Sequence, residues 1–165
     1  MSQEAIRVEL VGVRIELPTN QPIVLLREAD GQRFLPIWIG APEATAIAFA
    51  LEGVEPQRPL THDLLKLLTE ALGATLSRVI VTELRDGIYF ADLVFDTADG
   101  EVRVSARPSD SIALAARTKS PIFVFPAVLD EAGVEIRDEE SEEEEIERFR
   151  DFLDSITPED FDSAT

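Results

Sequence analysis

Two stretches of this chain follow the same order of three strands and one helix, and this repetition constrains the fold more than any other feature. The first stretch covers residues 6–52 and the second covers residues 78–116. In each, the turn before the third strand reads Ala-Asp-Gly, as Ala29-Asp30-Gly31 and as Ala98-Asp99-Gly100. Such self-similarity indicates an internal duplication. We therefore predict an α+β fold in which duplicated β-β-β-α units form a mainly antiparallel sheet packed by helices.

Two strand patterns carry further predictions. Residues 6–17 alternate between apolar and polar side chains but change phase midway, which predicts a β-bulge beside Gly12 that restores the apolar face. The third strand contains Pro36, which has no N–H group for a ladder. We therefore expect that strand at an edge of the sheet or at a bulge.

Two helices are predicted between the repeated strand regions. The first opens near Pro42 and runs to Glu52; it is small and apolar nearly all round, which predicts burial on most sides. The second runs from His62 to Leu72 with Thr61 as its N-cap. Its predicted core stripe consists of Leu64, Leu65, Leu67, Leu68, Ala71 and Leu72.

Composition changes at Asp138, and we predict a domain over residues 1–137 and an acidic tail over 138–165. The tail holds 13 acidic and two basic residues, a net charge of −11, and the rest of the chain has a net charge of −7. Within it, a predicted amphipathic helix carries an apolar stripe of Ile146, Phe149, Leu153 and Ile156. That stripe should bury against its own domain, a second copy or a partner's groove.

Several functional classes are excluded by composition. Cysteine is absent, which rules out disulfides, thiolate metal sites and thiol nucleophiles and suits a cytoplasmic location. No apolar run is long enough for a membrane span, and no glycine-rich phosphate loop indicates a nucleotide or organic cofactor. The many carboxylates leave an oxygen-rich Mg²⁺ or Mn²⁺ site open. The acidic charge gives no global positive field for nucleic acid.

The first candidate site lies around the start of the second helix. It places His62 beside Asp63, close to Arg58, which could hold a phosphate. The competing interpretation is ordinary helix capping by Thr61 and Asp63, with His62 as a surface or packing residue.

The second candidate site is the run Arg107-Pro108-Ser109-Asp110-Ser111. A helix N-terminus beside an arginine is a natural anion site. The alternative is that Ser109 or Asp110 serves only as a local cap.

The third candidate is Asp92, which lies in a strand that is apolar on both faces and therefore needs a partner or a metal ion. A hairpin register that pairs Asp96 with Glu101 would set Asp92 opposite Ser105, with Arg103 on a diagonal; a one-residue slip would set it against Ala106 instead. An internal Asp–Arg ion pair and a metal ligand both remain open here.

Several motifs together resemble one known family. They are Asn20-Gln21-Pro22-Ile23-Val24-Leu25-Leu26-Arg27-Glu28, Leu35-Pro36-Ile37-Trp38-Ile39-Gly40, Arg58-Pro59-Leu60-Thr61-His62-Asp63-Leu64, Ser105-Ala106-Arg107-Pro108-Ser109-Asp110-Ser111-Ile112-Ala113-Leu114 and the closing residues 149–161. With these motifs, nearly the whole chain resembles the bifunctional nuclease (BFN) domain family, in the form found in actinobacteria.

That resemblance implies hydrolysis of phosphodiester bonds in DNA, RNA or both. On this hypothesis a divalent ion, Mg²⁺ or Mn²⁺, is held by Asp63, Asp92 or Asp110. His62 acts as general base or orients water, and Arg107 stabilises charge on the phosphate. Substrate would be bound by Arg58 and Ser109, which belong to the motifs, and by Arg103, which lies in a predicted strand.

The alternative is a non-catalytic regulatory or protein-interaction module. It accommodates the acidic charge. With either function we expect a homodimer or higher homo-oligomer. A cleft that joins the His62 and Asp110 segments would favour the enzyme, and a large apolar patch without such a cleft would favour the module.

Overall fold

The computed structural model describes residues 4–136 and 146–151. The elements, in chain order, are β1 (Ile6–Glu16), β2 (Gln21–Glu28), β3 (Arg33–Trp38), α1 (Ala41–Glu52), α2 (Thr61–Ala71), β4 (Thr75–Arg85), β5 (Ile88–Thr97), β6 (Gly100–Ala106), α3 (Pro108–Thr118), β7 (Ile122–Val124), α4 (Pro126–Ala132) and β8 (Val134–Glu135). The chain divides into two compact units, residues 1–135 and 136–165.

The strands form one eight-stranded sheet in the order β6-β5-β4-β7-β1-β2-β3-β8. Each repeat contributes a three-stranded antiparallel meander followed by a helix, β1-β2-β3-α1 and β4-β5-β6-α3. The short strand β7 joins the two meanders because it pairs antiparallel with β1 and parallel with β4. The predicted α+β fold with duplicated β-β-β-α units is confirmed.

The two strand predictions have different outcomes. The β1–β2 register shifts between Leu10 and Gly12, which confirms the bulge. Strand β3 is not the outermost strand, since β8 pairs with it at Arg33 and Phe34. Because β8 is only two residues long, its ladder ends before Pro36, where a missing N–H would otherwise cost a hydrogen bond.

One face of the sheet carries the hydrophobic core. Buried valines and leucines of the strands, such as Val24, Leu26, Leu35, Val79 and Val81, pack there against α1, α3 and α4. The helices contribute Ile47, Ile112, Leu114 and Leu129 to the same core. Helix α3 is the most deeply buried helix, with seven buried residues. It packs against both α1 and α2 and so connects these two helices.

Two helix predictions are wrong. In α1 only Ala44 and Ile47 are buried, because the helix packs one side against the sheet and α3 and leaves the other side open. The predicted core stripe of α2 is exposed: Leu64, Leu65, Leu67, Leu68 and Leu72 all retain between 37% and 83% of their surface. The only buried residue of α2 is His62.

Part of the predicted tail is described. Residues 146–151 are helical, while Leu153, Ile156 and the acidic run that begins at Asp138 lie outside the described residues. Among the residues that the structure describes, no helix has the length and apolar character needed to cross a membrane.

Candidate catalytic site

Three helices of this domain begin in the same way, with a carboxylate at their third residue. These residues are Glu43 in α1, Asp63 in α2 and Asp110 in α3. A negative charge in the first turn interacts favourably with the positive end of the helix dipole. In all three helices the carboxylate also bonds to an arginine: Arg107 joins the starts of α1 and α3, and Arg117 in the last turn of α3 bonds to Asp63 at the start of α2.

The start of α3 is set by local chemistry. Arg107 is extended at the N-cap position, and Pro108 follows as the first helical residue, where its missing N–H costs nothing. The Ser111 hydroxyl donates to the Arg107 carbonyl at 2.8 Å and adds a side-chain bond to this first turn. Neither Ser109 nor Asp110 makes a side-chain cap bond, so Asp110 is directed to other partners.

The centre of the site is a contact between His62 and Asp110. The Nε2 atom of His62 lies 2.9 Å from Oδ1 of Asp110. Because a carboxylate only accepts, Nε2 carries the proton, and in the neutral ring Nδ1 is then left as the acceptor. The His62 side chain is 11% exposed, so only an edge of the ring reaches solvent.

Arg107 lies on the other side of Asp110. Its Nε and Nη2 atoms donate to Asp110 Oδ2 at 2.9 and 2.8 Å, and Nη2 also donates to Glu43 Oε1 at 2.9 Å. Glu43 thereby holds the guanidinium from the neighbouring helix. The Arg107 side chain is 64% exposed, so an anion can approach it from solvent.

The pKa of the Asp110 carboxyl reflects opposing effects. Burial acts to raise it, but hydrogen bonds from His62 and Arg107, together with the positive charge of Arg107, outweigh burial and hold the pKa of Asp110 below its ordinary value. The same carboxylate raises the pKa of Arg107, with Glu43 as the second cause. Asp110 is therefore ionised at neutral pH and can orient the imidazole.

Asp63, the neighbour of His62, has a different role. Its Oδ1 accepts from Arg117 Nε at 2.8 Å, and its Oδ2 accepts from the Leu60 backbone N–H at 2.9 Å. The Arg117 bond is the main cause that lowers the pKa of Asp63; burial opposes it and the Leu60 N–H supports it. The capping prediction holds for Asp63 but is wrong for Thr61, which is the first helical residue because Leu60 occupies the N-cap position.

The predicted substrate-binding residues are placed differently. Arg58 is exposed in the loop before α2, close in sequence to His62, and it has no ion pair within the part of the chain that the structure describes. Ser109 is 6% exposed at the start of α3, which leaves its hydroxyl little access to a substrate phosphate.

Asp92 and Arg103 lie apart from this cluster. Of the two registers considered for the β5–β6 hairpin, the structure has the one that pairs Asp96 with Glu101 and Asp92 with Ser105, and Asp92 Oδ2 is 3.9 Å from Arg103 Nη1. The core-facing residues of β5 are its odd-numbered neighbours, Leu93 and Phe95. Because side chains alternate along a strand, Asp92 points away from the face that α3 covers. The structure does not bring Asp92 together with Asp110.

A metal site was predicted from Asp63, Asp92 and Asp110. Within residues 4–136 and 146–151, no three His, Asp or Glu side chains come together in a way that could hold an ion. Each of the three predicted ligands instead has its own cationic or imidazole partner. The described residues alone therefore do not fit a divalent ion, which needs several oxygen ligands with uncompensated charge.

Two members of the network were absent from the predicted site, Glu43 and Arg117. A signal for Glu43 exists in the duplication, because Glu43 and Asp110 occupy the same third position in the helices that close the two repeats. Arg117 has no comparable signal, since its pairing with Asp63 depends on how α2 packs against α3.

Comparison with known proteins places these residues in a family. Residues 24–137, which include the whole cluster, match the bifunctional nuclease domain. The uncharacterized protein Rv1829 of Mycobacterium tuberculosis is 53% identical over 161 residues, covering 93% of this chain and 96% of that protein.

Plant proteins are more distant relatives. Bifunctional nuclease 1 of Oryza sativa subsp. indica is 27% identical over 120 residues, or 71% of this chain and 36% of the rice protein. Bifunctional nuclease 1 of Arabidopsis thaliana is 31% identical over 107 residues, or 62% of this chain and 33% of that protein. This chain thus aligns with only about a third of each plant protein. The domain match confirms the resemblance seen in the sequence motifs: this chain belongs to the bifunctional nuclease domain family.

Proposed function

We propose that this protein hydrolyses phosphodiester bonds in DNA, RNA or both, at the cluster of His62, Asp110 and Arg107. The observation that carries the proposal is the His62–Asp110 hydrogen bond directly beside the exposed guanidinium of Arg107. Membership of the family supports it, as do the names of the plant relatives. The absence of cysteine supports a cytoplasmic location for this activity.

Each residue of the cluster has a chemical role in this proposal. Arg107 binds the scissile phosphate, because a guanidinium forms two parallel hydrogen bonds with phosphate oxygens. Asp110 fixes the tautomer of His62, so that Nδ1 is the basic atom. His62 then accepts a proton from the attacking water at the exposed edge of its ring. The water oxygen bonds to phosphorus, the bond from phosphorus to the leaving sugar oxygen breaks, and that oxygen takes a proton from solvent.

Glu43 is a positioning residue in this arrangement. It holds Arg107 through Nη2 from the N-terminus of α1 and is itself mostly buried. The two carboxylates around Arg107 also neutralise its charge in the absence of substrate. A phosphate must therefore compete with Glu43 and Asp110 for the guanidinium, which favours modest substrate affinity.

The test is cleavage of single-stranded DNA and RNA by the purified full chain, compared with His62→Ala. We expect cleavage by the wild type and a loss of about 100-fold or more in the variant, the usual contribution of a general base. Thr69→Ala is the matched control, since Thr69 lies on the same helix and its hydroxyl donates to the Leu65 carbonyl. Equal rates for wild type and His62→Ala would refute this site.

A requirement for Mg²⁺ or Mn²⁺ stays a prediction, which the same assay tests directly. Cleavage is measured with each ion and with EDTA. Cleavage that persists in EDTA would show that His62, Asp110 and Arg107 act without an ion.

A second candidate is a non-catalytic regulatory or interaction module. The specific observation in its favour is the exposed row of leucines on α2, a surface of the kind that mediates protein association. Absence of cleavage by the wild type under all three conditions would support the module in place of the nuclease.

A further inference from the structure

The cluster of His62, Asp110 and Arg107 offers a substrate very little positive charge. The exposed guanidinium of the cluster belongs to Arg107, and two carboxylates already share it. A second guanidinium lies close by, on Arg117, but its side chain is only 8% exposed and is paired with Asp63, so a substrate does not reach it. The cluster by itself therefore holds one phosphate group.

Most basic residues of the domain are already paired with acidic ones. Eight of the twelve arginine and lysine residues in residues 4–136 form an ion pair with a carboxylate; they are Arg27, Arg33, Lys66, Arg78, Arg85, Arg103, Arg107 and Arg117. Within the same residues, Arg7, Arg58 and Lys119 form no ion pair. A long nucleic-acid strand binds through many phosphate contacts, so its affinity depends on where these three cations lie.

Arg58 is placed close to the cluster by the chain itself. It is exposed and lies four residues before His62. Four extended residues span about 14 Å at most, so the Cα atoms of Arg58 and His62 are no farther apart than that. The long side chain of Arg58 covers part of this distance. Arg58 can therefore contact a phosphate next to the one that Arg107 holds.

The other two cations are far from the cluster. Lys119 follows the last residue of α3, twelve residues after Arg107, and is thus roughly 18 Å away along the helix axis. Arg7 is next to Val8, a core residue of β1, and side chains alternate along a strand. Arg7 therefore points to the face of the sheet that the helices do not cover. Neither residue extends the phosphate site beyond Arg58.

The surface next to these two arginines is acidic. Glu52 at the end of α1 and Glu55 in the loop before Arg58 are both exposed. Residues 1–137 have a net charge of −7, and the whole chain has a net charge of −18. Phosphates of a long strand that extend past Arg107 and Arg58 therefore meet negative charge and weaken binding. A duplex is disfavoured further, because its second strand brings as many phosphates again.

We propose that the substrates of this site are short single-stranded oligonucleotides of about three to five nucleotides, held by two adjacent phosphates. Arg107 binds the scissile phosphate and Arg58 binds its neighbour. A short strand makes both contacts without placing further phosphates on the acidic surface. This inference rests on the nuclease activity proposed above.

Binding through two phosphates has a measurable consequence, a weak dependence on salt. For single strands, the logarithm of the binding constant falls with the logarithm of the salt concentration by about 0.7 for each phosphate contacted. Two contacts give a slope of about −1.4. A nuclease that binds long strands through many contacts has a much steeper slope.

Substrates of three lengths test the proposal on the full chain. They are a dinucleoside monophosphate, a pentanucleotide without terminal phosphates and a strand of about 40 nucleotides, each made as oligothymidylate and as oligouridylate. The value of kcat/KM for each phosphodiester bond is measured from about 20 to about 200 mM KCl at one Mg²⁺ concentration. At the lowest salt we expect the pentanucleotide to exceed the long strand by about tenfold, with a salt slope near −1.4. Loss of cleavage in His62→Ala assigns the activity to this site.

Arg58→Gln tests the second phosphate contact. It should lower kcat/KM for the pentanucleotide by about tenfold and reduce the size of the salt slope by about 0.7. The dinucleoside monophosphate has a single phosphate, so its kcat/KM should change by less than about twofold. Lys119→Gln is the matched control, because it removes the same charge at the far end of α3 and should leave all three substrates within about twofold of wild type. Equal losses for the two short substrates in Arg58→Gln, or equal losses in both variants, would overturn the assignment of Arg58.

The remaining outcomes separate this inference from the proposed nuclease activity. A long strand that is cleaved as fast as the pentanucleotide at each bond, or faster, would overturn the preference for short substrates and leave the nuclease activity standing. A salt slope steeper than about −2 for the pentanucleotide would do the same, since it requires more than two phosphate contacts. Failure of the wild type to cleave any of the three substrates would overturn the nuclease activity and this inference with it.

Discussion

The Nε2 atom of His62 and the Oδ1 atom of Asp110 lie 2.9 Å apart, although 48 residues separate them in the chain. His62 is the second residue of α2 and Asp110 is the third residue of α3. Packing of α2 against α3 brings these two helix starts together. The contact therefore joins the His62 segment and the Asp110 segment, which the sequence motifs indicate as two separate candidate sites.

Substitution of Asp110 tests the role of this bond in catalysis. Asp110→Asn removes the charge that orients His62 and stabilises its protonated form, so we expect kcat to fall by about 100-fold to 10,000-fold. Steady-state cleavage rates measure the effect. Asp96→Asn, at an exposed aspartate on β5, should be within about twofold of wild type. A similar loss in both variants would contradict a specific role for Asp110.

Two arginines can be compared to locate the phosphate site. We expect Arg107→Gln to raise KM and lower kcat/KM by about tenfold or more, because a bidentate phosphate contact is lost. Arg103→Gln should leave both constants nearly unchanged, since Arg103 pairs with Asp92 on the other side of the sheet. A loss of kcat/KM in Arg103→Gln without a loss in Arg107→Gln would place substrate binding at the β5–β6 hairpin instead.

The Asp63–Arg117 ion pair should contribute more to the free energy of unfolding than the exposed Asp130–Arg33 ion pair. Arg117 is only 8% exposed, so Asp63→Ala leaves a buried guanidinium without its carboxylate and should lower the free energy of unfolding by about 2–4 kcal/mol. The control is Asp130→Ala, which breaks a pair of the same 2.8 Å length with Arg33. Asp130 is 69% exposed, so we expect a loss of less than about 1 kcal/mol. Urea unfolding of both variants measures the difference, and equal losses would count against burial as the cause.

Stability should depend on pH through Asp63 and Asp110. Both carboxyls have a pKa below the ordinary value of 3.8, so their contribution is fully present above about pH 5 and is lost as pH falls through their folded-state pKa values. We expect the urea midpoint of the wild type to exceed that of Asp63→Asn/Asp110→Asn at pH 6. The difference between the two urea midpoints should decrease steadily as the pH falls towards 3. A difference that stays constant over this range would show that the two carboxylates act through packing and not through charge.

Local patterns in the sequence predicted much of the fold. The phase change near Gly12 predicted the bulge, and the position of the turn limited the β5–β6 hairpin to two registers, of which the structure has the one that pairs Asp96 with Glu101. Both signals come from alternation and turn position, which involve residues close together in the chain. The repeated β-β-β-α order followed from the same short-range signals.

The site was predicted only in part. His62, Asp63, Arg107 and Asp110 do lie around the packed N-termini of α2 and α3, whereas Asp92 and Arg103 lie on the other side of the sheet. Glu43 was missed although its helix position matches that of Asp110. No periodicity relates α1, α2 and α3 to one another, so their mutual contacts are beyond what a local pattern can predict.

The sequence by itself determined the strands, the bulge and the polar or apolar character of each helix side, because these depend on neighbouring residues. Tertiary structure alone decided that His62 meets Asp110, that Arg107 lies between two carboxylates, and that α2 turns its leucines outward. The spacing of Leu64, Leu68 and Leu72 shows that α2 has an apolar side. Whether that side meets its own core depends on competing contacts elsewhere, and here the polar bonds of His62 and Asp63 to α3 hold it away.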